Sequence, residues 1–241
     1  MNWFYWFLKF VVVGPALHLF FGIKVRGLQN LPKHGPVIVA SNHLSAIDSF
    51  FIPIALPRKL TFLAKAAYFQ GRGPVGRFVA WFLLAVGQIP LDRSGGAASS
   101  DSLNTGLNAL AEGKALGIYP EGTRSPTGNL YRGKTGIARI VLAAGVPVVP
   151  ISVSGTNKIM PKGAKLPRFH RVIVTVGDPL DFSRFHGLDN DRFILRAVTD
   201  EVMLNILALG SQEYVDVYAS TIKNNDEFDP QRAEVTAAAV S

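Results

Sequence analysis

Two side chains of complementary chemistry stand five residues apart in the segment IVASNHLSAIDSF, residues 38–50: His43 and Asp48. An imidazole that donates from one nitrogen to a carboxylate is fixed in one tautomer. Its other nitrogen stays basic and can take a proton from a hydroxyl. A separation of five puts two side chains ~140° apart on a helix and on opposite faces of a strand. The pair therefore meets only if the backbone turns between them. Residues 37–40 read as a buried strand, and Ser41, Asn42 or Ser45 can cap a following helix with Asp48 in its first turn. His43 would then sit at the carboxyl edge of a sheet, where α/β proteins hold ligands. The same spacing also suits a capping aspartate beside an incidental loop histidine.

A second segment, ALGIYPEGTRS at 115–125, runs a strand into Pro120 and then Glu121-Gly122-Thr123-Arg124. Gly122 lets backbone approach a ligand closely, and Arg124 offers a planar fork of donors suited to phosphate. Glu121 can hold an arginine or accept from a hydroxyl. The four residues also make an acceptable solvent-exposed turn. A third segment, GQIPLDR at 87–93, places Arg93 in another loop. A fourth, GVPVVPISVSGT at 145–156, carries two prolines in an apolar strand, which predicts an edge strand or one beside an open groove.

Around these segments, strand-like and helix-like stretches alternate. Apolar runs at 37–40, 60–64, 115–119, 146–151 and 172–176 predict strands covered on both faces. Helical patterns fall at 78–86, at 103–113 ending on a glycine, at 135–145, and from the acidic caps near 189 to Gly210. This predicts an α/β single domain, a mostly parallel central sheet flanked by helices, at residues 27–223. Residues 1–26 form an N-terminal membrane-associated helical segment in this reading, and 224–241 a flexible tail. The first segment is apolar and aromatic but interrupted by Lys9, Gly14, Pro15 and His18. A lysine at the bilayer centre costs roughly 2.5–3.5 kcal/mol, so the expectation is a kinked or paired helical segment lying in one leaflet. It lacks the basic n-region and cleavage site of a secretory signal.

Composition narrows the chemistry. The chain of 241 residues has no cysteine, which removes disulfides, thiolate catalysis and cysteine-built zinc sites. Residues 1–140 carry 15 Lys/Arg against 5 Asp/Glu, and residues 141–241 carry 10 against 12. A basic half suits an anionic membrane surface or phosphorylated substrates. It has neither a basic stripe nor an aromatic RNA-binding motif, so nucleic acid is not expected. GRGPVG at 71–76 matches a dinucleotide fingerprint but follows a poor strand and lacks the acidic residue that would hold a ribose. There is no G-x-S-x-G elbow for a serine nucleophile.

Taken in order, the four segments resemble the 1-acylglycerol-3-phosphate acyltransferases, the lysophosphatidic acid branch of the glycerolipid acyltransferases. The matching pieces are Asn42-His43-x-x-x-x-Asp48, Gly87-x-Ile89-x-x-x-Arg93, Tyr119-Pro120-Glu121-Gly122-Thr123-Arg124-Ser125 and Val146-Pro147-Val148-Val149-Pro150. Tyr119 departs from the phenylalanine usual in the family, and the segment after Lys65 lacks a second charged residue that many members carry. The resemblance implies transfer of a fatty acyl group from acyl-CoA or acyl-carrier protein to the hydroxyl of lysophosphatidic acid, at the cytoplasmic face of a membrane. It implies His43 as general base and Asp48 as its orienter. Arg124, Arg93 and the backbone around Gly122 and Thr123 would bind the acceptor phosphate, with Glu121 positioning the glycerol. Val146, Pro147, Val149 and Pro150 would border the acyl groove. Neither a metal nor a bound cofactor is implied; the acyl thioester is a co-substrate. The rival readings are the same transfer to another lysolipid or glycolipid, and a non-catalytic basic protein of the membrane surface.

Overall fold

Each of the five apolar runs becomes a strand of one sheet, and the central strands among them are covered on both faces. The structure, a computed structural model, describes residues 3–71, 73–91, 98–161 and 166–224. In chain order the elements are α1 (Trp3–Phe7), a π-type stretch (Leu8–Val13), α2 (Gly14–Phe21), β1 (Lys24–Arg26), β2 (Val37–Ser41), α3 (Asp48–Ala55), β3 (Leu60–Lys65), α4 (Gly73–Ala85) and β4 (Ile89–Leu91). There follow α5 (Ala98–Ala111), β5 (Ala115–Ile118), β6 (Leu130–Tyr131), α6 (Gly136–Ala144), β7 (Val148–Ser154), α7 (Thr156–Ile159), β8 (Ile173–Val176), α8 (Arg192–Ala208), β9 (Tyr214–Val215) and α9 (Ala219–Asn224).

Seven strands form the central sheet in the order β1-β8-β7-β2-β5-β3-β4. All neighbours are parallel except β7 and β8. This is the α/β architecture with a mostly parallel sheet that the alternating pattern predicts. A short parallel pair, β6 with β9, stands apart. On one face, α5, α6 and α8 cover Ile38, Ala40, Leu116 and Val148. On the other, α3 and the N-terminal helices cover Val37, Val39, Val149, Ile151, Val153 and Val174. Alternate residues of the central strands thus serve two cores, which is why their runs read as continuously apolar. At the start of α8 the side chain of Asp191 accepts from the N–H groups of Phe193 and Ile194 (2.8 and 3.1 Å), fulfilling the acidic cap.

The edge-strand expectation for the proline-bearing strand fails. β7 lies between β8 and β2, with Ala40 opposite Pro150. The ladder tolerates the proline because its partner departs there. Gly177 N–H donates to Pro150 O (2.9 Å), whereas Val148 and Leu180 exchange both bonds (3.0 and 2.7 Å). The register shifts by one residue between those pairs, so the missing N–H falls at a bulge rather than in a regular ladder.

The N-terminal helical run carries a second departure. Lys9 is only 5 % exposed and points into the protein, not toward a lipid phase. Its ammonium donates to the carbonyls of Pro53 (2.7 Å) and Leu56, with Arg58 O at 3.5 Å. These oxygens lie at the C-terminal end of α3, where carbonyls lack intrahelical partners and a cation is favoured. Burial lowers the Lys9 pKa from 10.5 to about 8. Trp3, Phe10, Val11, Leu19 and Phe20 remain exposed. Among the described residues no helix is long and apolar enough to cross a membrane.

Candidate active site

The carboxyl ends of β2 and β5 lead into two loops that are stitched together. Past Ser41 the chain leaves the sheet, and Asn42 continues its pairing with a side chain. The Asn42 amide donates to Val153 O (2.9 Å) while its oxygen accepts from Val153 N (2.8 Å). Neither Ser41 nor Asn42 caps the next helix, contrary to the sequence expectation; α3 begins at Asp48 with Ile47 at the N-cap position. The backbone from 42 to 47 is instead gathered by Asp48. Its Oδ2 accepts from Leu44 N (2.7 Å), Ser45 N (2.8 Å) and His43 Nδ1 (2.9 Å). The turn that the His–Asp spacing requires is therefore made by the aspartate itself.

Asp48 is 0 % exposed, and the His43 side chain keeps 16 % of its surface. A buried carboxylate that takes Nδ1–H leaves Nε2 with its lone pair, and Nε2 has no hydrogen-bond partner among the described residues. The imidazole lies flat on the ring of Tyr119, with centroids 3.9 Å apart and planes within 11°. Phe62 stacks on the far side of Tyr119 at 5.1 Å, and Ser49 Oγ lies 3.2 Å from the Tyr119 hydroxyl. Burial, then the neighbouring Asp48 charge, push the Tyr119 phenol well above its usual pKa. Tyr119 is thus a neutral wall that holds the imidazole plane.

The second loop begins where Pro120 ends β5. Gly122 N–H closes a turn on Tyr119 O (3.0 Å), and Gly122 itself has φ +72°, a left-handed conformation that disfavours any side chain. Glu121 is 0 % exposed. Its Oε2 accepts from His43 N (2.9 Å) and its Oε1 from Tyr131 N (3.0 Å). Ser125 N–H in turn donates to His43 O (2.7 Å). Both backbone polar groups of His43 are therefore anchored to the Glu121–Ser125 turn. The carboxylate expected to position a substrate glycerol thus holds the histidine's backbone.

Arg124 lies exposed on the outer side of this turn and Thr123 is half-buried. Arg93 lies outside the described residues. Val146, Pro147, Val149 and Pro150 do not gather at the His43 edge. Pro147 O accepts from Ile38 N (3.0 Å) near the start of β2, and Val149 and Pro150 are buried inside the sheet. Val149 and Pro150 are thus sheet-core residues, whereas Val146 and Pro147 are half-buried in the approach to β7. An apolar cavity of about 50 Å³ lies instead between the N-terminal helices, α3 and α4, lined by Tyr5, Leu8, Ser49, Phe50, Pro53 and Phe82 among others. Among the described residues no cluster of three His, Asp or Glu side chains could hold a metal ion.

The loop that pairs His43 with Asp48 is thus fastened to the turn that carries the exposed Arg124. Residues 22–154 match the model of the acyltransferase family. The chain belongs to the acyltransferase family. It is 31% identical over 190 residues to the chloroplast 1-acyl-sn-glycerol-3-phosphate acyltransferase LPAT1 of Arabidopsis thaliana, covering 78% of this chain and 52% of that one. It is 30% identical over 169 residues to the 1-acyl-sn-glycerol-3-phosphate acyltransferase of Bacillus subtilis, covering 69% of this chain and 78% of that one. The chain spans about half the length of its plant and yeast relatives. In fold it matches the crystal structure of the 1-acyl-sn-glycerophosphate (LPA) acyltransferase PlsC from Thermotoga maritima, with a TM-score of 0.60 at 24% identity, over 88% of this chain and 90% of that one.

Three positions of this acyltransferase carry parts of the site that sequence reading did not assign. Asn42 substitutes for strand backbone, Tyr119 stacks on the base, and the main-chain N–H of Lys134 donates to Pro120 O (2.8 Å) behind the turn. Tyr119 left a signal by departing from the family's phenylalanine, and Asn42 by heading the motif that holds His43 and Asp48. Asn42 and Lys134 act through partners more than ten residues away.

Proposed function

We propose that the chain transfers a fatty acyl group from an acyl thioester, acyl-CoA or acyl-carrier protein, to the free hydroxyl of 1-acylglycerol-3-phosphate, forming phosphatidic acid. The observation that carries this reading is the 2.9 Å contact between His43 Nδ1 and Asp48 Oδ2, held in a loop fastened at both backbone groups to the turn bearing Arg124. His43 Nε2 accepts the hydroxyl proton as the alcohol oxygen bonds to the thioester carbonyl carbon. The tetrahedral intermediate then collapses with loss of the thiolate, which takes the proton back from the imidazolium. Asp48 stabilises that imidazolium without itself being protonated. The thioester brings its own activation, so the step needs neither an acyl-enzyme nor a prosthetic group, and general-base assistance is worth ~10²–10⁴-fold.

Arg124 engages the acceptor phosphate, and the names of the relatives support that acceptor. The acyl chains lie on the apolar side made by the N-terminal helices, α3 and α4, where the cavity beside Ser49 and Phe50 supports their placement. The N-terminal segment rests on the membrane through Trp3, Phe10, Val11, Leu19 and Phe20, whose side chains are exposed. The basic first half favours an anionic cytoplasmic leaflet, where thioester donors are supplied. The test is product formation from lysophosphatidate and from the monoacylglycerol of the same chain length in vesicles. Phosphatidic acid formed much faster than diacylglycerol supports the reading; equal rates, or no transfer to either, contradict it.

A further inference from the structure

A second exposed cation, Lys134, lies over the turn that leads into Arg124. Lys134 follows β6 and immediately precedes α6, and its backbone N–H is bonded to Pro120 O (2.8 Å). That bond sets the residue directly behind the Tyr119–Gly122 turn. Its side chain then runs across Gly122: a β-carbon built on Gly122 would stand 3.0 Å from Lys134 Cδ, 3.2 Å from Cε and 3.4 Å from Nζ. The glycine therefore does two things. It takes the left-handed φ that the turn needs, and it leaves the space over which the lysine stem lies.

The charge balance of the turn is one-sided. The nearest carboxylate, Glu121, is turned inward onto the N–H groups of His43 and Tyr131. Arg132, two residues before Lys134, faces Asp216 (3.5 Å) and the ring of Tyr218. Among the described residues neither Arg124 nor Lys134 has a carboxylate partner. Two exposed cations thus border one turn whose counter-charge is buried and committed elsewhere. A dianionic phosphate is the group that fits between a planar guanidinium and a compact ammonium.

We infer that Lys134 is a specificity-determining residue of the acceptor site, acting with Arg124 on the headgroup phosphate. The inference rests on the reading that the acceptor is a lysophosphatidate. Its ammonium interacts with the phosphate, while its stem shields the Gly122 backbone.

The experiment is steady-state kinetics of the full chain in vesicles, comparing the parent with Lys134→Met and Lys134→Arg. Each is assayed with lysophosphatidate and with the phosphate-free monoacylglycerol, and each is melted. Lys134→Met keeps the stem on Gly122 and removes only the charge. The expected result is a rise of about tenfold in KM for lysophosphatidate, the size of a charge-assisted contact at a partly exposed site, with kcat little altered. Lys134→Arg restores most of the affinity, the monoacylglycerol rate does not move, and all three proteins melt together. If the parent prefers lysophosphatidate but Lys134→Met leaves its KM unchanged, the inference is wrong and the reading beneath it stands. If Lys134→Met weakens both acceptors alike, the lysine is only a packing residue. If the parent itself ignores the phosphate, the reading falls and takes the inference with it.

Discussion

Replacing Glu121 by glutamine separates a residue that positions the catalytic backbone from one that touches substrate. In the native chain its two oxygens accept from His43 N (2.9 Å) and Tyr131 N (3.0 Å), with no exposed surface. A glutamine keeps one acceptor oxygen and turns an NH₂ group toward the other N–H, donor against donor. One charge-assisted bond is lost and a buried N–H is left unpaired, a cost of about 2–4 kcal/mol. For a chain of this size each kcal/mol lowers Tm by roughly 2–4 °C, so the melt should fall by on the order of 5–15 °C. Release of the His43 backbone also misplaces the imidazole, and a misplacement near 1 Å costs ~10² in rate. The assay pairs a melt followed by circular dichroism with thioester consumption at varied lysophosphatidate, below the variant's melt. The expected pattern is a lower Tm and a lower kcat with acceptor KM little changed. An unchanged Tm with a raised acceptor KM would refute the reasoning and return Glu121 to the substrate.

Three further outcomes follow from the same geometry. Asp48→Asn can keep its oxygen on the three donors but loses the charge that stabilises the imidazolium; kcat should fall by ~10²–10⁴-fold, and a rate near that of the parent excludes the dyad. Phe10→Ser combined with Leu19→Ser, both exposed, should reduce co-sedimentation with anionic vesicles at an unchanged Tm; unchanged sedimentation removes the membrane role of these side chains. Lys9 has a folded pKa of about 8 against 10.5 for the free group, so between those values the unfolded chain binds the extra proton and native stability rises with pH. The stability of the parent relative to Lys9→Met should therefore climb across pH 8–10.5, by up to about 3 kcal/mol; a flat difference contradicts the buried ammonium.

The sheet was legible where burial on both faces makes a strand a continuous apolar run, as in β2 and β5. It was not legible in β1, whose Lys24-Val25-Arg26 is three residues long and mostly polar, nor in β4, β6 and β9, which are as short or shorter. Pro150 misled because proline rules describe a regular ladder, and the bulge opposite it depends on where β8 departs. Lys9 misled because its solution is tertiary: the carbonyls that receive it lie 44 and 47 residues away. In the site, the types and spacing of His43 and Asp48 announced the pairing that the structure shows. What they could not announce was that two carboxylates face inward with different partners. Asp48 and Glu121 are both fully buried, one serving the imidazole and the other its backbone, and only the turn linking β5 to the His43 loop distinguishes them.

The central claim is that the Asp48-oriented imidazole of His43 takes the proton from a lysolipid hydroxyl. It is tested most directly by thioester consumption with lysophosphatidate in vesicles, comparing the parent chain with His43→Ala at equal amounts and matched melts. Turnover is expected for the parent, with a loss of ~10²–10⁴-fold in the variant. A folded His43→Ala protein that consumes thioester at the parental rate would contradict it.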